Sequence, residues 1–308
     1  MGPSASAASV RAVVEPRGTT LGAFIESLRP AQWTKNGFVF AALIFSQNLM
    51  DTHRVGRVTA AALIFCVVSS AAYLFNDILD VSEDRNHPLK RTRPIASGRL
   101  GVRMAAGMAL LLGSLALAAA WALDRQFFLV LSSYAAMNIL YSCFLKRILL
   151  LDVFVVAAGF VLRVVGGGVV IHVELSAWLI VCTTLLALFI SLSKRRHELV
   201  SMGLRASDQR SSLANYSPYF LDQLIGVVTA STVMAYALYT LSPDVKAKFP
   251  GKRLELSIPL VLFGIFRYLY LVHQNNEGGN PTRLLFTDSV LLSVVLMWAA
   301  SVIFIIYH

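Results

Sequence analysis

Asn76, Asp77, Asp80 and Asp84 close a long apolar run in the stretch YLFNDILDVSEDRNHPLKRTRPIASG, Tyr73 to Gly98. If one helix continues through them, the aspartates stand at i, i+3 and i+7. At about 100° per residue they then share one narrow arc that also admits Asn76. Carboxylates gathered in this way repel one another, and a hard divalent cation relieves the repulsion. Mg²⁺ takes one or two carboxylates and fills its other positions with water and substrate phosphate. The competing reading is a solvated helix end, but carboxylates at a membrane edge are costly unless employed. Directly downstream stand His87, Lys90, Arg91 and Arg93, with Pro88 and Pro94 holding the loop extended. Arg suits bidentate phosphate contact and Lys neutralises as a point charge, so Lys90, Arg91 and Arg93 beside the acidic group read as a diphosphate clamp. Arg99 and Arg103 read as topological anchors.

Other charged groups stand at the edges of apolar runs. YSCFLKRILLLD supplies Tyr141, Lys146, Arg147 and Asp152, and one span later Arg163 precedes Gly166, Gly167 and Gly168. An Arg inside a span faces the interior and has a partner; Asp152, about three turns away, shares its helix face without touching it. The three glycines indicate close backbone approach or a broken helix lining a cavity. They also permit packing against a second copy, which leaves a homo-oligomer open. In FISLSKRRHEL, Lys194, Arg195 and Glu198 form a group at a helix end, with Glu in the order less favoured for a helix salt bridge. That favours a role facing a pocket over a simple anchor.

The elements that must position these residues follow from the apolar pattern. Of 308 residues 56% are hydrophobic and 14% charged, which points to lipid as the solvent. Runs long enough to cross about 30 Å of hydrocarbon fall at 34–50, 58–80, 103–123, 127–145, 148–171, 176–193, 221–241, 255–273 and 286–306. An all-α, nine-span membrane domain over 21–308 is expected, behind a flexible tail at 1–20 and a stretch before the first span that lies along the interface or serves as a linker. With the N-terminus inside, about 18 Lys and Arg fall on the inner face and about 7 on the other, so the charged loops are expected to be cytoplasmic. The net charge of +10 is therefore a membrane-topology signal and not one for nucleic acid. Only Arg163 and Arg267 remain inside spans. Cys66, Cys143 and Cys182 lie in apolar runs without metal or disulfide spacing, and read as packing.

NDILDVSEDRNHPLKRTRP resembles the first aspartate-rich motif of UbiA-type intramembrane prenyltransferases. The resemblance implies nine transmembrane helices around a lipid-open cavity capped by cytosolic loops, with Mg²⁺ on Asn76, Asp77, Asp80 and Asp84. Where aromatic-prenylating members carry a second aspartate-rich motif, this chain has LSKRRHEL. Together with LRPAQWTKNGFVFAAL, LLDVFVVAAGFVLRVVGGG, YSPYFLDQL, GIFRYLYLVH and GNPTRLLFTD, it is similar to the decaprenyl-phosphate phosphoribosyltransferase branch. That branch implies transfer of 5-phosphoribose from phosphoribosyl diphosphate (PRPP) to a polyprenyl phosphate at a bacterial inner membrane, for envelope arabinan precursors. PRPP needs one acidic metal site and a separate cationic site. The aspartates then hold the metal on the diphosphate; His87, Lys90, Arg91 and Arg93 line the leaving group, with Arg91 also counted as catalytic. Lys194 and Arg195 bind the 5-phosphate, and Glu198 is available to ribose hydroxyls. Lys35, Asn36, Lys146 and Arg163 are candidates to position the acceptor, Tyr141 and Asp152 could orient it or support Arg163, and Asp288 is a further candidate. The rivals are a quinone-type prenyltransferase, which needs a second acidic motif, and a lipid-carrier transporter, which predicts paired repeats with interrupted helices.

Overall fold

Apolar runs with proline only in their first turn set the long helices, and short polar side chains start several of them. Asp51 accepts from the backbone N–H of His53 and Arg54, Asp124 from Phe127, Ser217 from Phe220 and Asp288 from Leu291, each satisfying a donor left over at a helix start. A computed structural model describes residues 20–202, 215–275 and 278–308. The expected tail lies almost wholly outside the described residues, as do Arg205 and Arg210 of the charge tally.

All regular structure among the described residues is helical. Helix α1 is Thr20–Leu28; a 3₁₀ segment over Pro30–Phe40 runs into α2, Ala41–Phe45. There follow α3 (Thr52–Leu79), α4 (Val81–Asn86), α5 (Val102–Leu123), α6 (Arg125–Cys143) and α7 (Leu151–Val170). The chain continues with α8 (Ala177–Met202), α9 (Pro218–Leu241), α10 (Pro243–Lys248), α11 (Ile258–His273), α12 (Pro281–Thr287) and α13 (Ser289–Tyr307). Eight helices among the described residues are long and apolar enough to cross a bilayer, and they match the second to ninth expected spans. The chain is an integral, multi-pass membrane protein.

The first expected span, 34–50, differs. It is not a long α-helix but the 3₁₀ segment plus α2, 16 residues in all. At about 2.0 Å per residue in 3₁₀ and 1.5 Å in α, these reach about 30 Å, the thickness of the hydrocarbon. Contacts at its ends agree: Arg29 meets Asp77 at the end of α3, while Gln47 donates to the Ile306 carbonyl and Leu49 N–H to the Tyr307 hydroxyl at the end of α13. It is thus long enough to cross but is not among the eight long apolar helices of the described residues.

Two apolar cores lie side by side. One joins the 3₁₀ segment, α3, α6 and α7 through Val39, Phe65, Phe127 and Leu131; the other joins α7, α8, α9 and α11 through Phe160, Phe189, Ile225 and Leu271. Helix α7 is common to both and is unbroken through its three glycines, so the broken-helix alternative does not hold. The close-approach alternative does. A Cβ on Gly167 would stand 1.9 Å from the Val39 carbonyl oxygen, one on Gly166 would strike Phe65 and one on Gly168 Leu175. All three glycines are thereby used inside the chain.

Candidate active site

The end of α3, α4, the loop that follows and the α6–α7 corner gather on the charged face. Asp77 is buried, and its two carboxylate oxygens lie 2.6 and 2.8 Å from Arg29 Nη2. Arg93 Nη1 donates to both Asp77, at 3.1 Å, and Asp84, at 2.6 Å. Asp80 lies apart from this pair, accepting from Lys146 Nζ on one oxygen and from Asn76 Nδ2 at 2.9 Å on the other. The expected single arc is therefore corrected. Helix α3 ends at Leu79, Asp80 joins it to α4, and no group of three His, Cys, Asp or Glu side chains placed to hold a metal ion occurs among the described residues. Burial raises the Asp84 carboxyl above its usual range, against the pull of Arg93.

The loop is built from within. His87, expected to bind substrate, is buried, and its Nδ1 accepts the backbone N–H of Leu89 and Lys90. Ile95 and Leu100 are sunk among Ala23, Leu74 and Ala105, and Arg99 pairs with Glu26 of α1. Lys90 and Arg91 are thereby presented on a short 3₁₀ turn, with Arg91 exposed.

A second cluster lies across the α6–α7 corner. Asp152, fully buried, accepts Arg195 Nε at 2.7 Å on one oxygen and the Tyr216 hydroxyl at 2.9 Å on the other. Arg195 Nη1 pairs with Glu198, and Nη2 is 3.5 Å from the Tyr141 hydroxyl. Two sequence expectations change here. Asp152 pairs with Arg195 and not Arg163, and the charge of that buried guanidinium is already met by two carboxylates, Asp152 and Glu198. Lys194, more exposed and 3.7 Å from Glu198, remains as the cation there. Tyr141, near the end of α6, and Lys146, in the turn that follows it, touch the second and the first cluster respectively.

Arg163 is expended internally. Its Nε donates to Asn36 Oδ1 at 2.7 Å, Nη1 to the Gly159 carbonyl and Nη2 to the Tyr134 hydroxyl, with the Tyr134 ring against it. Asn36 in turn donates to Cys66 Sγ. Together they clamp the 3₁₀ segment to α6 and α7. The adjoining Lys35 is half-buried and has no hydrogen bond or ion pair among the described residues; the charges it feels most are those of Arg163 and Arg29. Asp288 is likewise structural, forked onto Arg267 at 2.7 and 3.2 Å while capping α13.

Residues 37–289 match the UbiA prenyltransferase family. The chain belongs to that family. Among its relatives, the decaprenyl-phosphate phosphoribosyltransferase of Corynebacterium glutamicum is 32% identical over 297 residues, covering 95% of this chain and 89% of that one. The enzyme of the same name from Mycobacterium tuberculosis is 31% identical over 294 residues, covering 94% and 96%. A UbiA homologue from Archaeoglobus fulgidus, solved with DMAPP and Mg²⁺, superposes with a TM-score of 0.69 at 18% identity, covering 92% of this chain and 98% of that one. It establishes the fold.

Mg²⁺, which the family implies, suits the UbiA-type site in kind. The donors are hard oxygens, and two carboxylates, Asp77 and Asp84, already converge on one cationic atom, Arg93 Nη1. Sequence reasoning missed Arg29 and Tyr216. Arg29 stood beside Pro30 as one more inner-face charge, yet it adopts φ 54°, an uncommon conformation for a non-glycine residue, and grips Asp77. Tyr216 was present in YSPYFLDQL, but nothing in the local pattern marks a tyrosine that meets Asp152 64 residues away.

Proposed function

We propose that this UbiA-family chain transfers 5-phosphoribose from PRPP to a polyprenyl phosphate, releasing diphosphate. The observation that carries the reading is the pairing of an acidic, oxygen-only cluster with a second cluster on α8 where Lys194 and Glu198 stand instead of another set of aspartates. PRPP asks for both, having a diphosphate at one end and a phosphorylated diol sugar at the other. The relatives named as decaprenyl-phosphate phosphoribosyltransferases support it.

An oxygen of the lipid phosphate attacks C1 of the ribose, and the C1–O bond to diphosphate breaks with its electron pair leaving on the diphosphate. The product keeps the 5-phosphate and is inverted at C1 by in-line attack. Asp77 and Asp84 would hold Mg²⁺, with Asn76 and Asp80 next in line on the Lys146 side, and the ion would supply charge neutralisation to the diphosphate. Lys90, Arg91 and Arg93 neutralise further charge as it develops. Lys194 meets the 5-phosphate and Glu198 the ribose hydroxyls, with Tyr141 beside Arg195. Lys35 receives the acceptor phosphate, which is already an anion and needs no strong base. The reading treats residues 21–308 as one membrane domain. PRPP is water-soluble and the basic face is the inner one by the positive-inside rule, so the site opens to the cytoplasm of a bacterial inner membrane.

The test is diphosphate release by purified protein with PRPP, Mg²⁺ and a polyprenyl phosphate. Release that requires the lipid is expected. No release, with consumption of a prenyl diphosphate and an aromatic acceptor instead, would overturn the proposal.

A further inference from the structure

Asp152, Arg195 and Glu198 form an alternating row of carboxylate, guanidinium and carboxylate, and its buried end is closed by a group outside the pocket. The Tyr216 hydroxyl accepts the Leu150 backbone N–H at 2.9 Å and donates to Asp152 Oδ1 at 2.9 Å, so it uses both of its roles at once. Leu150 has φ 66° and ψ −38°, a backbone conformation that a branched side chain rarely adopts. It immediately precedes α7 and turns Asp152 inward at the first turn of that helix. One hydroxyl thereby fixes both the strained turn and the carboxylate it delivers. From Asp152 the row passes through Arg195 to Glu198, whose side chain is partly exposed.

We infer that Tyr216 is a positioning residue for the sugar donor: through Asp152 and Arg195 it sets the carboxylate of Glu198, which accepts hydrogen bonds from the ribose diol. This rests on the phosphoribosyl reading above. A carboxylate with two oxygens matches two adjacent hydroxyls, and a site built to bond a hydroxyl strongly rejects the analogue that lacks it. A carboxylate on a surface helix end would wander among rotamers; one held by a guanidinium that is itself held at Nε has its direction set before the sugar arrives. The Tyr216 phenol stays protonated as a donor, since burial and the Asp152 charge both raise it well above its ordinary range.

The test is a double-mutant cycle on the full-length protein. Tyr216→Phe keeps the ring stacked on Phe220 and removes only the hydroxyl. The expected result is a KM for PRPP raised about tenfold, the equivalent of one lost hydrogen bond to a charged group. The KM for polyprenyl phosphate stays within about twofold, and preference for PRPP over its 2-deoxyribose analogue falls. Glu198→Gln should show the same pattern, and adding Tyr216→Phe to it should change the PRPP KM little further. Additive effects, or a lowered melting temperature with the PRPP KM and the deoxy preference unmoved, overturn the inference while leaving the reaction in place. If Tyr216→Phe does not fold, loss of deoxy discrimination in Glu198→Gln decides whether Glu198 reads the diol, and its retention overturns the inference. If the unaltered protein releases no diphosphate from PRPP, it is the underlying reading that fails.

Discussion

Among the described residues Lys35 has no hydrogen bond or ion pair and feels the charges of Arg163 and Arg29, and Asn36 next to it is bound by Arg163. A cation so placed is suited to an arriving anion, and the lipid phosphate is the substrate that comes from the membrane side. Lys35→Met is expected to raise the KM for polyprenyl phosphate by about tenfold or more, the loss of one charge-assisted hydrogen bond, with the PRPP KM nearly unchanged. Steady-state kinetics with each substrate varied in turn checks this; a shift in the PRPP KM instead would reassign Lys35 to the donor. Asp288 gives a second residue-scale expectation. Its hydrogen bonds from Arg267 hold the carboxyl below the usual range, so the pair stabilises the fold above the ordinary carboxylate pKa of about 3.9 and is lost as pH falls through the lower folded value. Asn at 288 keeps the cap on α13 but not the charge. Melting temperatures of Asp288→Asn and the unaltered protein should differ near neutral pH and converge at the acid end; a constant difference would remove the ion pair from the account.

At the scale of elements, the close passage of the 3₁₀ segment over α7 depends on a missing side chain. A Cβ at Gly167 meets a backbone oxygen, which cannot swing aside as a side chain can. Gly167→Ala is therefore expected to destabilise by about 1–3 kcal/mol, toward the upper end. Gly107→Ala, on α5 with open space around it, should cost little or nothing, and thermal unfolding in detergent compares the two. These elements also show what could be read in the sequence. Eight spans were legible because hydrophobic run length is a local property. The aspartates, the basic loop and the α8 group were legible because charge at a membrane edge is expensive. What escaped depends on the geometry of the fold: the break at Asp80, Arg29 reaching Asp77, Tyr216 reaching Asp152, His87 turned inward onto its own loop, and which partners the inward-facing Arg163 meets. The first span, less clean than most because it opens on WTKN, was still read as one more helix because composition does not distinguish 3₁₀ from α.

At the scale of the molecule, α7 is the shared wall of both cores and carries Asp152 at its charged end and Arg163 and the glycines further along. Asp152 and, through Arg163, Asn36 next to Lys35 are thus referred to one helix, while the basic loop is referred to α1 and α3. The 3₁₀ segment is clamped to that helix at Asn36 and Gly167 but is wound more tightly than α. A 3₁₀ coil that relaxes to α shortens by about 0.5 Å and unwinds by about 20° for each residue. Over Pro30–Phe40 that is a telescoping of about 5 Å, and Lys35, five residues along, turns through about 100°. A thinner bilayer rewards the shorter form. Bilayer thickness thereby becomes an input to catalysis: reconstitution in short-chain lipids should raise the KM for polyprenyl phosphate and spare that for PRPP, and equal values in thin and thick bilayers would show that the screw does not turn.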